Sequence, residues 1–208
     1  MSLLTNWGYS IKTTDTLEDM LTAAEYADFT AGKYSGDQRV SANIKAASDA
    51  VRNYCGWHVY PPLECEMATS LNNQSVAKIR SKILVQLPAR YVTKVEAVTV
   101  NGKECRIFDV QPNGMLKIYD ADVAGLPEYA PITVTYKAGL PDGLMGGVKE
   151  LIAHRITHAL ASSSGVQSET AGGVSITYSA NWINSARATA LADDNKEVLA
   201  PFKLQGVF

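Results

Sequence analysis

Two histidines four residues apart, His154 and His158, have the spacing that sets two imidazoles on one helical face, where they could hold a divalent metal. A zincin-type centre needs a glutamate directly after the first histidine to act as base. Arg155 stands there instead, its positive charge opposes a bound cation, and no third ligand accompanies the pair. The helical angle puts both rings at the border of an apolar stripe of Val148, Leu151 and Ile152, so they read as half-buried helix-edge histidines. Gly32-Lys33 is followed by Tyr34 where a Walker loop needs Ser or Thr, and Ala27 replaces that loop's first glycine. Gly143, Gly146 and Gly147 do not form GxGxxG, and no serine sits in a GxSxG elbow. Asp193-Asp194 and the Asp120/Asp122 pair read as solvated carboxylates. Cys55, Cys65 and Cys105 cannot all pair within one chain and match no CxxC pattern; they read as free thiols filling core space in a reducing compartment. These residues assign no catalytic group, no metal and no cofactor.

A formal net charge of -2 argues against a broad basic face for nucleic acid. The helix, GKYSG turn and second helix could imitate a helix-turn-helix. The second helix, however, opens on Asp37, Gln38 and a single Arg39, the wrong chemistry for base reading. The opening segment lacks a basic stretch followed by an apolar one, and no run approaches the roughly 20 apolar residues that span a bilayer, so a cytoplasmic site of synthesis is expected and no membrane partner.

The elements that must position any site follow from hydrophobic period. Thr16 with Asp19 suggests a capping box for a first helix over 17–29. A second helix over 37–55 carries Val40, Ile44, Ala47, Val51 and Tyr54 on one face, with Arg39, Asn43 and Arg52 off it, and Gly56 at its C-cap. After Pro61-Pro62 the period changes to 2. Strands are expected at 83–87 and 92–100, an Asn101-Gly102 hairpin with its return at 106–110, and further strands from Leu116 and over Ile132, Val134 and Tyr136. A third helix follows from Leu144 through Ala159. A polar, Gly-rich run over 162–173 closes it, Val174, Ile176 and Tyr178 alternate as a short strand, and Ser185 can cap a last helix that ends before Pro201.

The opening helices lack a complete core of their own, so the closing helices are expected to fold back onto them and leave the strands as an insertion. This gives an α+β chain: a small α-helical bundle core with an inserted antiparallel β-module, a small barrel or sandwich. The expected parts are 1–60 and 139–208 for the core and 61–138 for the insertion. Phe202, Leu204, Val207 and Phe208 make the end of the chain too apolar for free solvation, so it docks, either on its own chain or on a partner.

The order of these motifs resembles the head-tail connector, or adaptor, proteins of tailed bacteriophages. The resemblance is carried by the helix ending IKAASDAVRNYCGWHVYPP, the strand block from LPARYVTKVEAVTVNGK to ITVTYKAGLPDG, the helix VKELIAHRITHAL, the loop and strand GGVSITYS, and the final LAPFKL. It implies a structural virion protein, not an enzyme, in a ring, usually dodecameric, beneath the portal at the capsid vertex. Its implied partners are copies of itself, the portal protein and a tail completion or stopper protein, with DNA passing through the lumen without sequence-specific binding. By the same resemblance the C-terminal residues Phe202, Leu204, Val207 and Phe208 reach the portal. Two rivals remain: a small-ligand or carbohydrate-binding β-module on a helical stalk, which would need exposed aromatics clustered in the strand block, and a hydrolase or nuclease without a recognisable motif.

Overall fold

A computed structural model of the chain describes residues 3–12, 16–79, 81–111, 113–119, 125–162, 168–171, 174–177 and 193–204. The chain divides into two compact units. The strand unit comprises Met1–Glu18, Cys55–Asp142 and Phe202–Phe208; the helical unit comprises Asp19–Tyr54 and Gly143–Pro201. The fold is α+β, with antiparallel sheets and four helices among the described residues.

In the helical unit, α1 (Ala23–Phe29) opens on Thr22, whose hydroxyl accepts the Glu25 N–H at 3.2 Å while the Glu25 carboxylate accepts the Thr22 N–H at 2.7 Å. The capping box therefore sits at Thr22/Glu25, six residues later than Thr16/Asp19 suggested. Glutamate reaches back to the cap backbone, and its other carboxylate oxygen accepts from Lys149 Nζ at 2.6 Å. The buried Met20 and Leu21 precede the helix, and the Met20 N–H donates to the buried Ser48 hydroxyl. Helix α2 (Arg39–Cys55) buries Val40, Ile44, Ala47 and Val51 as its period requires. It also buries Arg52, which the period placed off the stripe; its guanidinium lies 3.3 Å from Asp49 one turn earlier.

Helix α3 (Gly146–Ser162) buries Val148, Leu151, Ile152, Ile156 and Leu160. Tyr26 meets the Thr157 hydroxyl at 3.1 Å, which ties α1 to α3. The run expected to be loop contains a strand, Ser168–Ala171, paired antiparallel with Val174–Thr177. Last comes α4 (Asp193–Leu199). Its proposed cap Ser185, and Tyr178 of the GGVSITYS motif, lie outside the described residues.

The strand unit holds two sheets. The six-stranded one runs β1 (Leu3–Leu4), β2 (Ser10–Ile11), β3 (Leu63–Ser70), β10 (Pro131–Ala138), β6 (Val92–Val100) and β7 (Lys103–Cys105). Along β10, Ile132, Val134, Tyr136 and Ala138 are buried and alternate with more exposed residues. The Asn101-Gly102 turn has φ of +51° and +76°, so the return strand begins at once with Lys103 against Val100. The expected return over 106–110 is displaced because a two-residue loop leaves no slack. Residues 108–110 instead form an edge of the second sheet, β4 (Val76–Ile79), β5 (Lys82–Gln86), β9 (Met115–Ile118) and β8 (Phe108–Val110). Ile83, Val85, Leu116 and Ile118 are its buried face.

Two glycines have backbone contacts that only they allow. A Cβ on Gly139, at φ +140°, would lie 2.5 Å from the Pro61 carbonyl oxygen, and one on Gly114, at φ +83°, would lie 2.4 Å from that of Ala89.

Candidate functional site

Of the residues expected to meet a partner, Phe202 and Leu204 are half-buried in a clasp within the strand unit, and Val207 and Phe208 lie outside the described residues. Trp57 is fully buried, and its indole N–H needs an acceptor. It donates to the Phe202 carbonyl at 2.7 Å. The Leu204 N–H donates to the Cys55 carbonyl at 2.9 Å. Gly56, at φ +77°, turns the chain between these two points, and a Cβ there would stand 3.9 Å from the Leu204 side chain. The Phe202 ring lies 6.2 Å from that of Tyr91, tilted by 45°.

Next to Trp57 is a polar group that sequence reasoning missed. His58 is fully buried, with Nε2 2.9 Å from the Ala138 carbonyl and Nδ1 2.7 Å from the Tyr9 hydroxyl. A carbonyl only accepts, so Nε2 carries the proton and Nδ1 accepts from Tyr9. The Tyr9 oxygen in turn accepts the backbone N–H of His58 at 3.0 Å. One neutral tautomer satisfies all three bonds and pins β2's approach to the end of β10. The available signal was the aromatic run Trp57-His58-Val59-Tyr60 just after a capped helix, too apolar for a linker. Tyr136 lies beside this group, 6.4 Å from the Tyr9 ring. Burial drives its phenol well above the usual range, and its hydroxyl has no hydrogen-bond partner.

The second sheet carries an exposed feature. On the face opposite its buried side, register aligns Ile79, Lys82, Tyr119 and Ile107 in one row across all four strands. Lys82 Nζ sits 4.9 Å from the Tyr119 ring centroid. Ile79 is 51% exposed, Ile107 61% and Tyr119 37%.

In the helical unit, His154 and His158 are both exposed, not half-buried, and His154 Nε2 is 3.9 Å from Glu150. Among the described residues no three His, Cys, Asp or Glu side chains are placed to share a metal ion. A groove of about 390 Å³ is lined by Ala23, Tyr26, Ala27, Tyr34, Asp37 and Val40. At its rim the Arg39 guanidinium, hydrogen-bonded to Asp37, holds that carboxyl down at about 2. All three cysteines are buried, and burial pushes the Cys55 and Cys65 thiols up to about 12, which leaves them poor nucleophiles. No described helix is long and apolar enough to cross a membrane.

No curated protein matches the chain. A chain from a solved structure described as "Neck of empty GTA particle computed with C6 symmetry" is similar at 17% identity, over 96% of this chain and 97% of that one, with a TM-score of 0.49. The family model described as head completion protein matches residues 19–185, beginning at the first residue of the helical unit and running through the whole strand block. On that match the chain belongs to the head completion protein family and is a structural protein of the virion, of the head-tail connector kind that its sequence resembles.

Proposed function

We propose that the chain forms an adaptor ring between the portal vertex of the capsid and the tail, extending the DNA channel and offering the tail its attachment surface. The observation that carries this reading is the family match over residues 19–185, which takes in the first passage of the helical unit, the strand block, and the second passage as far as residue 185. In this reading the helical unit is the core and the strand block its insertion. The ring is a dodecamer whose partners are copies of the chain, the portal protein and a tail completion or stopper protein. A net charge of -2 suits a lumen through which DNA slides without being held by phosphate contacts. Phe202, Leu204, Val207 and Phe208 are the residues proposed to face the portal. The chain acts by shape and adhesion, without turnover.

Deleting the gene in the parent phage and imaging the lysate by electron microscopy tests this. The expected outcome is DNA-containing heads without tails, or heads that leak their genome, together with free tails. Normal infectious particles would overturn the reading.

A further inference from the structure

The four-stranded sheet ends in two strands whose outer main-chain groups are set by register. Gln86 N–H donates to the Ser75 carbonyl at 2.8 Å, so Ala77 and Ile79 are the residues of β4 that bond to β5. The N–H and C=O of Lys78, and the C=O of Val76, then point away from the sheet. On the other edge, Tyr119 N–H donates to the Ile107 carbonyl and Gln111 N–H to the Met115 carbonyl, each at 2.9 Å. Phe108 and Val110 of β8 therefore direct their main-chain groups outward in the same way. Such rows are templates for another strand.

We infer that β4 of one copy pairs with β8 of the next, so that the sheet continues from subunit to subunit, an inference that rests on the ring reading above. Three features select this partner. First, the sheet has four strands, all antiparallel, so β4 and β8 run in opposite directions and a second copy laid beside the first in the same sense continues the antiparallel pattern. Second, the outward groups match in phase. With Lys78 opposite the second copy's Phe108, Val76 lies opposite Val110, Ala77 opposite Asp109 and Ile79 opposite Ile107. That register joins the two ends of the exposed row, covering Ile79 and Ile107, which are 51% and 61% exposed in the single chain. Third, charge disfavours the like pairings. A two-fold β4 contact centred on Lys78 brings two ammonium groups together, and a two-fold β8 contact centred on Asp109 brings two carboxylates together. Lys117 lies opposite Asp109 within the sheet, and Arg106 is held by Glu104 at 3.5 Å. The resulting interface is heterologous, the kind that closes by rotation into a ring.

The test uses particles assembled from the full-length chain. Ala77→Cys and Asp109→Cys are exposed and share a face, and at the interface they occupy the closely spaced, non-hydrogen-bonded kind of site. The native cysteines are buried, so they give little background. Mild oxidation of particles carrying both substitutions is expected to give a ladder of covalent multimers beyond the dimer, and either substitution alone to give only monomer. Dimers from Ala77→Cys alone, or no ladder from the pair, would overturn the edge pairing. Lys78→Pro removes only an outward N–H, so the purified variant is expected to keep its circular dichroism spectrum and melting midpoint but be lost from particles. Wild-type incorporation of a folded Lys78→Pro chain would overturn it as well. Absence of the wild-type chain from particles would instead sink the adaptor reading itself, and this inference with it.

Discussion

The strand unit and the helical unit are held by different physics. In the strand unit one group of deeply buried polar side chains is satisfied by partners far along the chain, Tyr9 on His58, His58 on Ala138 and Trp57 on Phe202, beside an unpartnered Tyr136 hydroxyl. Its backbone also comes within contact of itself at Gly139 and Gly114. In the helical unit the Met20–Ser48 bond is buried, but the ties from α1 to α3, Glu25 to Lys149 and Tyr26 to Thr157, are only partly buried, so water competes for them. The strand unit should therefore tolerate little change at a few positions and depend weakly on carboxylate protonation. The helical unit should be more permissive and answer to pH.

The largest effect is expected from Gly139→Ala, which forces a side chain into the Pro61–Pro62 backbone at a φ that L-residues avoid; a loss on the order of 3 kcal/mol should appear in denaturant unfolding. A near-neutral result would show that this closure yields and would erase the contrast. Tyr9→Phe should come next, at about 2 kcal/mol, since it removes the hydroxyl that bonds both a buried imidazole nitrogen and a buried backbone N–H. Trp57→Phe keeps an aromatic ring but orphans the Phe202 carbonyl, and about 1 kcal/mol is expected, with faster amide exchange at Leu204 if the clasp works as a unit.

Glu25→Gln should be the smallest. The Lys149 hydrogen bond, then the Thr22 backbone, holds the Glu25 carboxyl at about 2 against an ordinary value of 4.5. A lowered carboxylate stabilises the fold fully above its unfolded value and loses that contribution as pH falls through the folded one. The pH dependence therefore lies between about 4.5 and about 2, and Glu25→Gln should flatten it there. The carboxylate is 37% exposed, so screening keeps the expected change at neutral pH to about 1 kcal/mol or less. A larger loss than for Tyr9→Phe would reverse the ranking of the two units.

What the sequence made legible was what depends on neighbours within a few residues. The period of α2, the Asn101-Gly102 turn and the alternation in β10 all stand in the structure. In Leu63–Ser70 the alternation of Cys65 and Met67 with Glu64 and Glu66 is short and begins directly after Pro61-Pro62, so its period is weak beside the break that precedes it. The two-residue strands β1 and β2 are too short to show any period. Arg52 looks like a surface residue until the fold covers it. His58 could not be found from spacing, because its partners stand 49 and 80 residues away. Of the candidate contact residues, apolar character was readable at Phe202 and Leu204. The donor that fastens them, Trp57, lies 145 residues upstream of Phe202 and was not. The row from Ile79 to Ile107 exists only once four strands are in register.

The clasp at Trp57 has a mechanical consequence. Leu204 is bonded to Cys55, and Phe202 to Trp57, so a pull on the last residues of the chain first loads two hydrogen bonds inside the strand unit. A tug on the residues after Leu204 is thus borne first by the Cys55 carbonyl and the fully buried Trp57 indole, and the clasp behaves as a strain relief for the strands behind it.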